Sequence, residues 1–393
     1  MTAALEGIRM LDMAWQGPGI FCATMLGDLG AEVIKIYEVR PERRGGPLTL
    51  IYPDSPIFPG WRNCKTMGLN LKAEEGLSIF YQLARTADVI TEGFRPGTAK
   101  RLGVDYDTIK EVNHRIVYAS LTGYGQEGPY RAVVGHDINY ISIGGLLGTL
   151  RHPGGPPVIP RTVIADFAAG GMCAAIGILA ALMARDRIGR GQYVDVSMTD
   201  AIVELMMTVL LPALLGGVVS EKGETTATGE RPRPWYNVYQ TKDGKYISVG
   251  AVEPWFYANL CELLGREDFI EHQYAEGEKR EEISQYFKET FLTKTRDEWV
   301  EILRQKDTCV APVYSPQEVI SDPQLIARRM IVEVDHPTLG RARQIGSMVK
   351  LSETPFQVRN WSQRFGQHTE EILTNLGYSK EDIDRLRETE VIG

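Results

Sequence analysis

Residues 8–37, IRMLDMAWQGPGIFCATMLGDLGAEVIKIY, decide the fold. Ile8–Ala14 alternates loosely as a strand does, and Gln16-Gly17-Pro18-Gly19 reads as a turn. Phe21–Leu29 carries apolar residues at helical spacing, with Gly30 placed to cap it. Ala31–Tyr37 is then a second strand. The same alternation continues outward: a helix over Ala73–Arg85, a strand over Asp88–Thr91, a helix over Asp107–Val112 and a strand over Arg115–Leu121. Such a succession predicts an α/β fold, a parallel sheet with covering helices.

The chain has 393 residues, enough for two or three domains at about 150 residues each. Ser220–Pro234, SEKGETTATGERPRP, reads as a linker. Beyond it, strands over Trp235–Gln240 and Tyr246–Val249 flank the turn Lys242-Asp243-Gly244, and helices follow over Trp255–Leu264, Arg280–Thr290 and Arg296–Lys306. That block predicts a smaller α+β domain. After Asp322-Pro323-Gln324 come further strands and helices over Thr369–Leu376 and Lys380–Glu388.

Composition excludes several classes. Charged residues make up 24% and hydrophobic ones 43%, a globular balance, and the net charge of −8 argues against a basic nucleic-acid binder. Five cysteines, never closer than 42 residues, form no C-x-x-C motif, and their odd number favours a reducing compartment. The N-terminal MTAALEGIRMLDMA has no basic stretch ahead of an apolar one, so no signal peptide is expected. Residues 168–184 are uncharged but short and rich in Ala and Gly, and 202–219 contains Glu204 and Pro212. Both are expected as core helices of a soluble protein. The chain ends Val391-Ile392-Gly393 with no organelle address, which makes the cytoplasm the default.

Gly123-Tyr-Gly125-Gln-Glu-Gly128 matches G-x-G-x-x-G literally. A dinucleotide fingerprint needs a helix opening on those glycines and an acid about twenty residues later. Pro129-Tyr130 follows instead and 147–150 holds no acid, so a loop of another kind is expected. There is no Walker lysine, no G-x-S-x-G and no H-E-x-x-H, and the six histidines show no i, i+4 pair, so no metal site is expected.

Two regions carry chemistry. Residues 35–101 hold eleven Lys/Arg against seven Asp/Glu, an excess of +4 placed largely after strands, where α/β sheets bind ligands. It is either a solvated basic face or a seat for a phosphorylated small molecule. Gly135-His136-Asp137-Ile138-Asn139-Tyr140 is followed some thirty residues later by Ala165-Asp166-Phe167-Ala168-Ala169-Gly170-Gly171. His136 exchanges protons near neutrality, and Asp137 is placed to orient or tune it. Asp166 opens the small-residue helix, where a carboxylate serves equally as a cap or as a functional group.

At these residues the chain resembles the family III CoA-transferases, which include the α-methylacyl-CoA racemases. The resemblance runs nearly end to end: LEGIRMLDMA, MLGDLGAEVIKIYE, TEGFRPGTAKRLGV, SLTGYGQEGPYRAVVGHDINY, IADFAAGGMCAAIGILAALMAR, GRGQYVDVSMTDA, YQTKDGKYISVGAVEPWFY and GQHTEEILTNLGY. It implies an interlocked homodimer. It also implies a large domain with a Rossmann-like sheet over 1–225, a small domain over 226–325, and a segment 326–393 returning to the large domain. The coenzyme A positions implied are Trp15, Gln16, Arg40, Leu69, Lys72, Gly93, Phe94, Arg95 and Arg101, with Gly93 standing where many members carry Asn. No cofactor beyond the CoA moiety of an acyl-CoA substrate is implied. Transferases of the family use the aspartate matching Asp166 as a nucleophile. Racemases use it as an acid/base opposite the histidine matching His136, with a glutamate matching Glu253 beside that histidine, from the same or the partner chain. The GHDINY motif is close to the racemase version, and no glycine run marks the small domain as a transferase's. The resemblance therefore implies a 2-methylacyl-CoA racemase or epimerase, with CoA transfer as the alternative.

Overall fold

The computed structural model describes residues 3–14, 17–39, 58–151, 155–217, 233–362 and 364–393. Six strands form one parallel sheet in the order β3-β2-β1-β4-β5-β6: β1 Arg9–Asp12, β2 Glu32–Tyr37, β3 Cys64–Gly68, β4 Val89–Glu92, β5 Val117–Thr122 and β6 Tyr193–Ser197. Successive residues of each strand serve opposite faces, as the two-residue period of a strand requires. Leu11, Ile34, Ile90 and Tyr118 pack under the helices Glu74–Ala84, Tyr106–Val112, Thr369–Asn375 and Lys380–Glu388. Met10, Val33, Val89 and Val117 face the helices Gly17–Asp28 and Cys173–Ile188. A sheet buried on both faces explains why its inner strands read as apolar runs.

Contacts divide the chain into two units. One comprises 1–150, 157–207 and 326–393, and the other 151–156 and 208–325. The second unit has a three-stranded antiparallel sheet, β7 Tyr236–Gln240, β8 Tyr246–Gly250 and β9 Val310–Val313. Its core is aromatic, built on Tyr239, Tyr257, Phe287, Phe291 and Trp299. In the first unit, the hairpin β10 Ile331–His336 and β11 Gly340–Ile345 begins the returning segment, which then reaches β3. There Asn63 N–H donates to the Asn360 carbonyl, His368 N–H to Thr66, and Leu69 bridges Ile392.

Three expectations are corrected. The helix after β1 starts at Gly17, on the glycines read as a turn: Pro18 sits in the first helical turn, where a missing N–H costs nothing. The small-residue helix is half-buried, because Ala174, Ala175 and Ile178 meet the sheet while Ile176 and Met183 are 66% and 67% exposed. Ala165–Ile188 is long and apolar enough to cross a membrane by composition, yet one face is committed to the core. The 202–219 segment is likewise no continuous core helix. It breaks at Met206, which is buried, and the helix Met207–Leu214 after it buries no residue. The linker Ser220–Pro234 lies mostly outside the described residues.

Candidate active site

The sheet order reverses direction between β1 and β4, so the chains leaving these two strands diverge and open a crevice at their carboxyl ends. Asp12, the last residue of β1, lies buried beneath this edge. Buried among Lys35, Thr91 and Ala14, it accepts from the Lys35 ammonium at 3.0 Å, the Thr91 hydroxyl at 2.7 Å and the Ala14 N–H at 2.9 Å. Lys35 is therefore spent on the core and is no ligand cation. Arg62 and Lys65 are also paired, with Asp28 and with Glu32 and Glu371 respectively. Among the described residues of the basic stretch, Arg85 is exposed at the end of the helix Glu74–Ala84, and Lys72, Arg95, Lys100 and Arg101 are exposed on the loops and short helix that follow β3 and β4.

In this crevice lies a cavity of about 710 Å³, lined by Ala14, Pro18, Gly93–Pro96, Gly123, Tyr124, Arg131, His136, Tyr140 and Asp166 among others. That volume suits a small-molecule ligand. The structure thus brings Gly93, Phe94 and Arg95 together with His136 and Asp166. Leu69 is a core residue, 2% exposed, and neither it nor Lys72 or Arg101 lines the cavity. Trp15, Gln16 and Arg40 lie outside the described residues. Glu253 belongs to the second unit, at the start of the helix Pro254–Leu263, where its side chain makes no capping hydrogen bond.

Asp166 is not the cap of its helix. The segment Ala165–Met172 is π-helical and runs into the helix Cys173–Ile188. The cap comes from a different element: Asp137 accepts the Asp166 backbone N–H at 3.1 Å, and the Ala165 N–H adds to it. Asp137 thereby orients Asp166 rather than His136. On its other side the Asp166 carboxyl lies over Gly17, so close that a Cβ there would stand 2.3 Å from Oδ2. Gly17 opens the 12-residue helix Gly17–Asp28, whose positive end favours a carboxylate. Gly170 and Gly171 keep the two helices this near, since side chains there would run into Pro18 and Phe21. The Phe21 and Phe167 rings stack at 4.9 Å beside them.

Burial, and after it the charge of Asp137, pushes the Asp166 carboxyl up to about 6. Among the described residues, no side chain or backbone group donates a hydrogen bond to that carboxyl. His136 precedes the helix Asp137–Ile143; its backbone N–H donates to the Asn139 side-chain oxygen at 3.0 Å, and His136 is exposed and lines the cavity. Tyr140 was legible only as part of a motif, yet it shapes this wall. Its hydroxyl donates to the Gly135 carbonyl and its ring fills the space a side chain at Gly123 would need. The G-x-G-x-x-G stretch is a loop with Gly125 and Gly128 at φ of +82° and +79°, and no helix opens on it. Arg131 also lines the cavity and carried no sequence signal. No group of three His, Cys, Asp or Glu residues able to hold a metal ion occurs among the described residues.

Comparisons with known proteins agree with this architecture. The chain is 32% identical to human alpha-methylacyl-CoA racemase over 390 residues, covering 99% of this chain and 97% of that protein. It is 34% identical to formyl-CoA:oxalate CoA-transferase of Streptomyces coelicolor over 414 residues, covering 100% of each. The crystal structure of a CAIB/BAIF family protein from Brucella suis, 23% identical, superposes with a TM-score of 0.81 over 96% of this chain and 100% of that one. Relatives thus include both racemases and transferases. With the model of CoA-transferase family III matching residues 5–369, the chain belongs to that family.

Proposed function

We propose that this protein interconverts the two hands of 2-methyl (α-branched) acyl-CoA thioesters through an enolate. The observation that carries this reading is that the raised Asp166 carboxyl and the His136 imidazole line one cavity. A thioester carbonyl acidifies its α-hydrogen only weakly, so removal needs a well-placed base, and inversion needs a proton donor on the opposite face. Two groups that exchange these roles work best when their proton affinities are close. Burial raises the Asp166 carboxyl to about 6, close to the working pH at which a general acid/base is most effective. Arg95, exposed in the cavity lining, with Lys100 and Arg101 following it in the sequence, supplies the positive charge that the phosphates of a CoA ester require. The working form is proposed to be a cytoplasmic homodimer without a cofactor beyond the CoA moiety. Ile176, Met183, Leu205 and Met207, each more than half exposed in the single chain, support a partner surface.

CoA transfer is the second reading. It is favoured by full-length relatives of that activity and by the Asp166 carboxyl, whose oxygens have no donor among the described residues and are free to attack a thioester carbonyl.

Incubation with 2-methylacyl-CoA in deuterated water, without an acceptor acid, decides between them. Deuterium at the α-carbon in both hands is the expected result, slowed by about 10²-fold or more in His136→Ala. No exchange there, together with CoA appearing on a carboxylic acid added in a parallel incubation, would make the protein a transferase. Racemisation also predicts a bell-shaped kcat/KM, because only the singly protonated pair is active, with two limbs that belong to the pair. The two hands are epimers of one CoA ester, so the ratio of their kcat/KM values equals an equilibrium constant that does not change with pH, and the bells measured from either hand must share one shape. Profiles that diverge would rule out direct racemisation.

A further inference from the structure

A row of polar side chains crosses the carboxyl edge of the sheet, and the chemistry above uses none of them. Glu92 closes β4, Ser120 pairs with it on β5, and Asp195 pairs with Ser120 on β6. Glu92 is only 3% exposed. One of its oxygens accepts the Phe94 N–H at 2.6 Å, and the other accepts the Ser120 hydroxyl. Asp195 accepts the Gln126 N–H at 3.0 Å. Each carboxylate therefore grips the first turn of a loop that lines the cavity, Glu92 the Gly93–Pro96 loop and Asp195 the Gly123–Gly128 loop. A neutral amide would satisfy the Phe94 N–H at far lower desolvation cost. What ionisation adds is strength, since a charge-assisted hydrogen bond is roughly twice as strong as a neutral one.

We propose that Glu92 is a positioning residue for ligand binding: its ionised carboxylate clamps the Phe94 amide and so fixes the loop from which Arg95 faces the cavity, and its protonation loosens that loop. This rests on the reading that the cavity takes a CoA ester, and is independent of the choice between racemisation and transfer. The groups facing Glu92 are Tyr118 on β5 and Tyr193 and Asp195 on β6. Both tyrosines are held above their usual range by burial and stay neutral, so among the described residues Asp195 is the charge that opposes Glu92 ionisation. Burial, resisted by the Ser120 and Phe94 hydrogen bonds and reinforced by Asp195, pushes the Glu92 carboxyl up to about 7, which places the change near neutrality.

The test is titration of coenzyme A onto the full-length protein between pH 6 and 8.5, together with hydrogen exchange of the Phe94 amide in the unliganded protein. Glu92→Gln keeps acceptor and shape without the titration. Wild-type affinity is expected to fall about tenfold from pH 8 to pH 6 beyond any change the Gln variant shows, since the titration of CoA's own phosphate is common to both. Phe94 protection, corrected for intrinsic exchange, should fall with pH in the wild type alone. Ser120→Ala removes a donor that favours the ionised form, so it should move the midpoint to higher pH. Superimposable wild-type and Gln profiles in both measurements would overturn the proposal. Phe94 protection that falls with pH while CoA binds the wild type at no pH would keep the clamp but overturn its role in CoA binding, along with the reading of the cavity.

Discussion

Replacing Asp166 with Asn is expected to stop turnover, by at least about 10³-fold for the loss of an acid/base or nucleophilic carboxyl, and to change how stability depends on pH. The sign follows from linkage. The folded carboxyl lies near 6, raised from 3.8 by burial and by Asp137, so between about pH 4 and 6 the native state holds more protons than the unfolded one. Wild-type stability is therefore penalised as the pH rises through that window, fully above the folded value and not at all below the unfolded one. Two units correspond to about 3 kcal/mol. The Asn amide has its own burial cost, but that cost does not titrate. The stability of Asp166→Asn relative to wild type should thus improve by up to about 3 kcal/mol between pH 4 and pH 8. Denaturation at three pH values measures it. Parallel profiles for the two proteins would mean that the fold does not press on this carboxyl.

The second large effect is expected from one methyl group. Gly17→Ala places a Cβ 2.3 Å from Oδ2 and 2.9 Å from Cγ of Asp166, too close for both to stay. The helix is the rigid partner, and the Asp166 backbone is held by Asp137, so the carboxyl must swing away. A displacement of about 1 Å at a reacting group costs about 10²-fold in rate. Gly17→Ala should therefore lose kcat by about that factor while binding of CoA changes little, and the fold should survive because only the tip of a side chain is pushed. Gly19→Ala is the contrast. There the methyl would meet the Ala14 carbonyl oxygen at 1.7 Å, and backbone cannot swing, so several kcal/mol of stability should be lost. Equal thermal stability losses in the two variants, or full kcat in Gly17→Ala, would contradict this account.

These contrasts show where sequence reading reaches and where it stops. The inner strands β1, β2, β4 and β5 were legible because burial on both faces demands apolar runs. The two strands not legible as elements, β3 (CKTMG) and β6 (YVDVS), are the outermost of the sheet and hold no apolar run long enough to stand out from the sequence around them. His136 and Asp166 stood out by residue type and motif, and both face the cavity. The part played by Asp137 could not be read, because its partner is a backbone N–H twenty-nine residues away on another element. Gly17 reads as a turn residue in the sequence, although the proline beside it is the usual mark of a helix start. Glu92 sat unnoticed among the acids of a basic stretch; only the register of three strands shows what it holds.

The discontinuity of the first unit bears on how the protein is made. Residues 61–69 must wait for residues 360–392, synthesised some three hundred positions later, to supply the backbone partners of Trp61, Asn63, Thr66 and Leu69. The contiguous stretch 208–325, with its own aromatic core, emerges from the ribosome in between. During that interval β3 is an open sheet edge, the kind of surface on which nascent chains aggregate. Overexpression is therefore expected to be limited by the supply of chaperones that shield such an edge, more than by the stability of the finished fold.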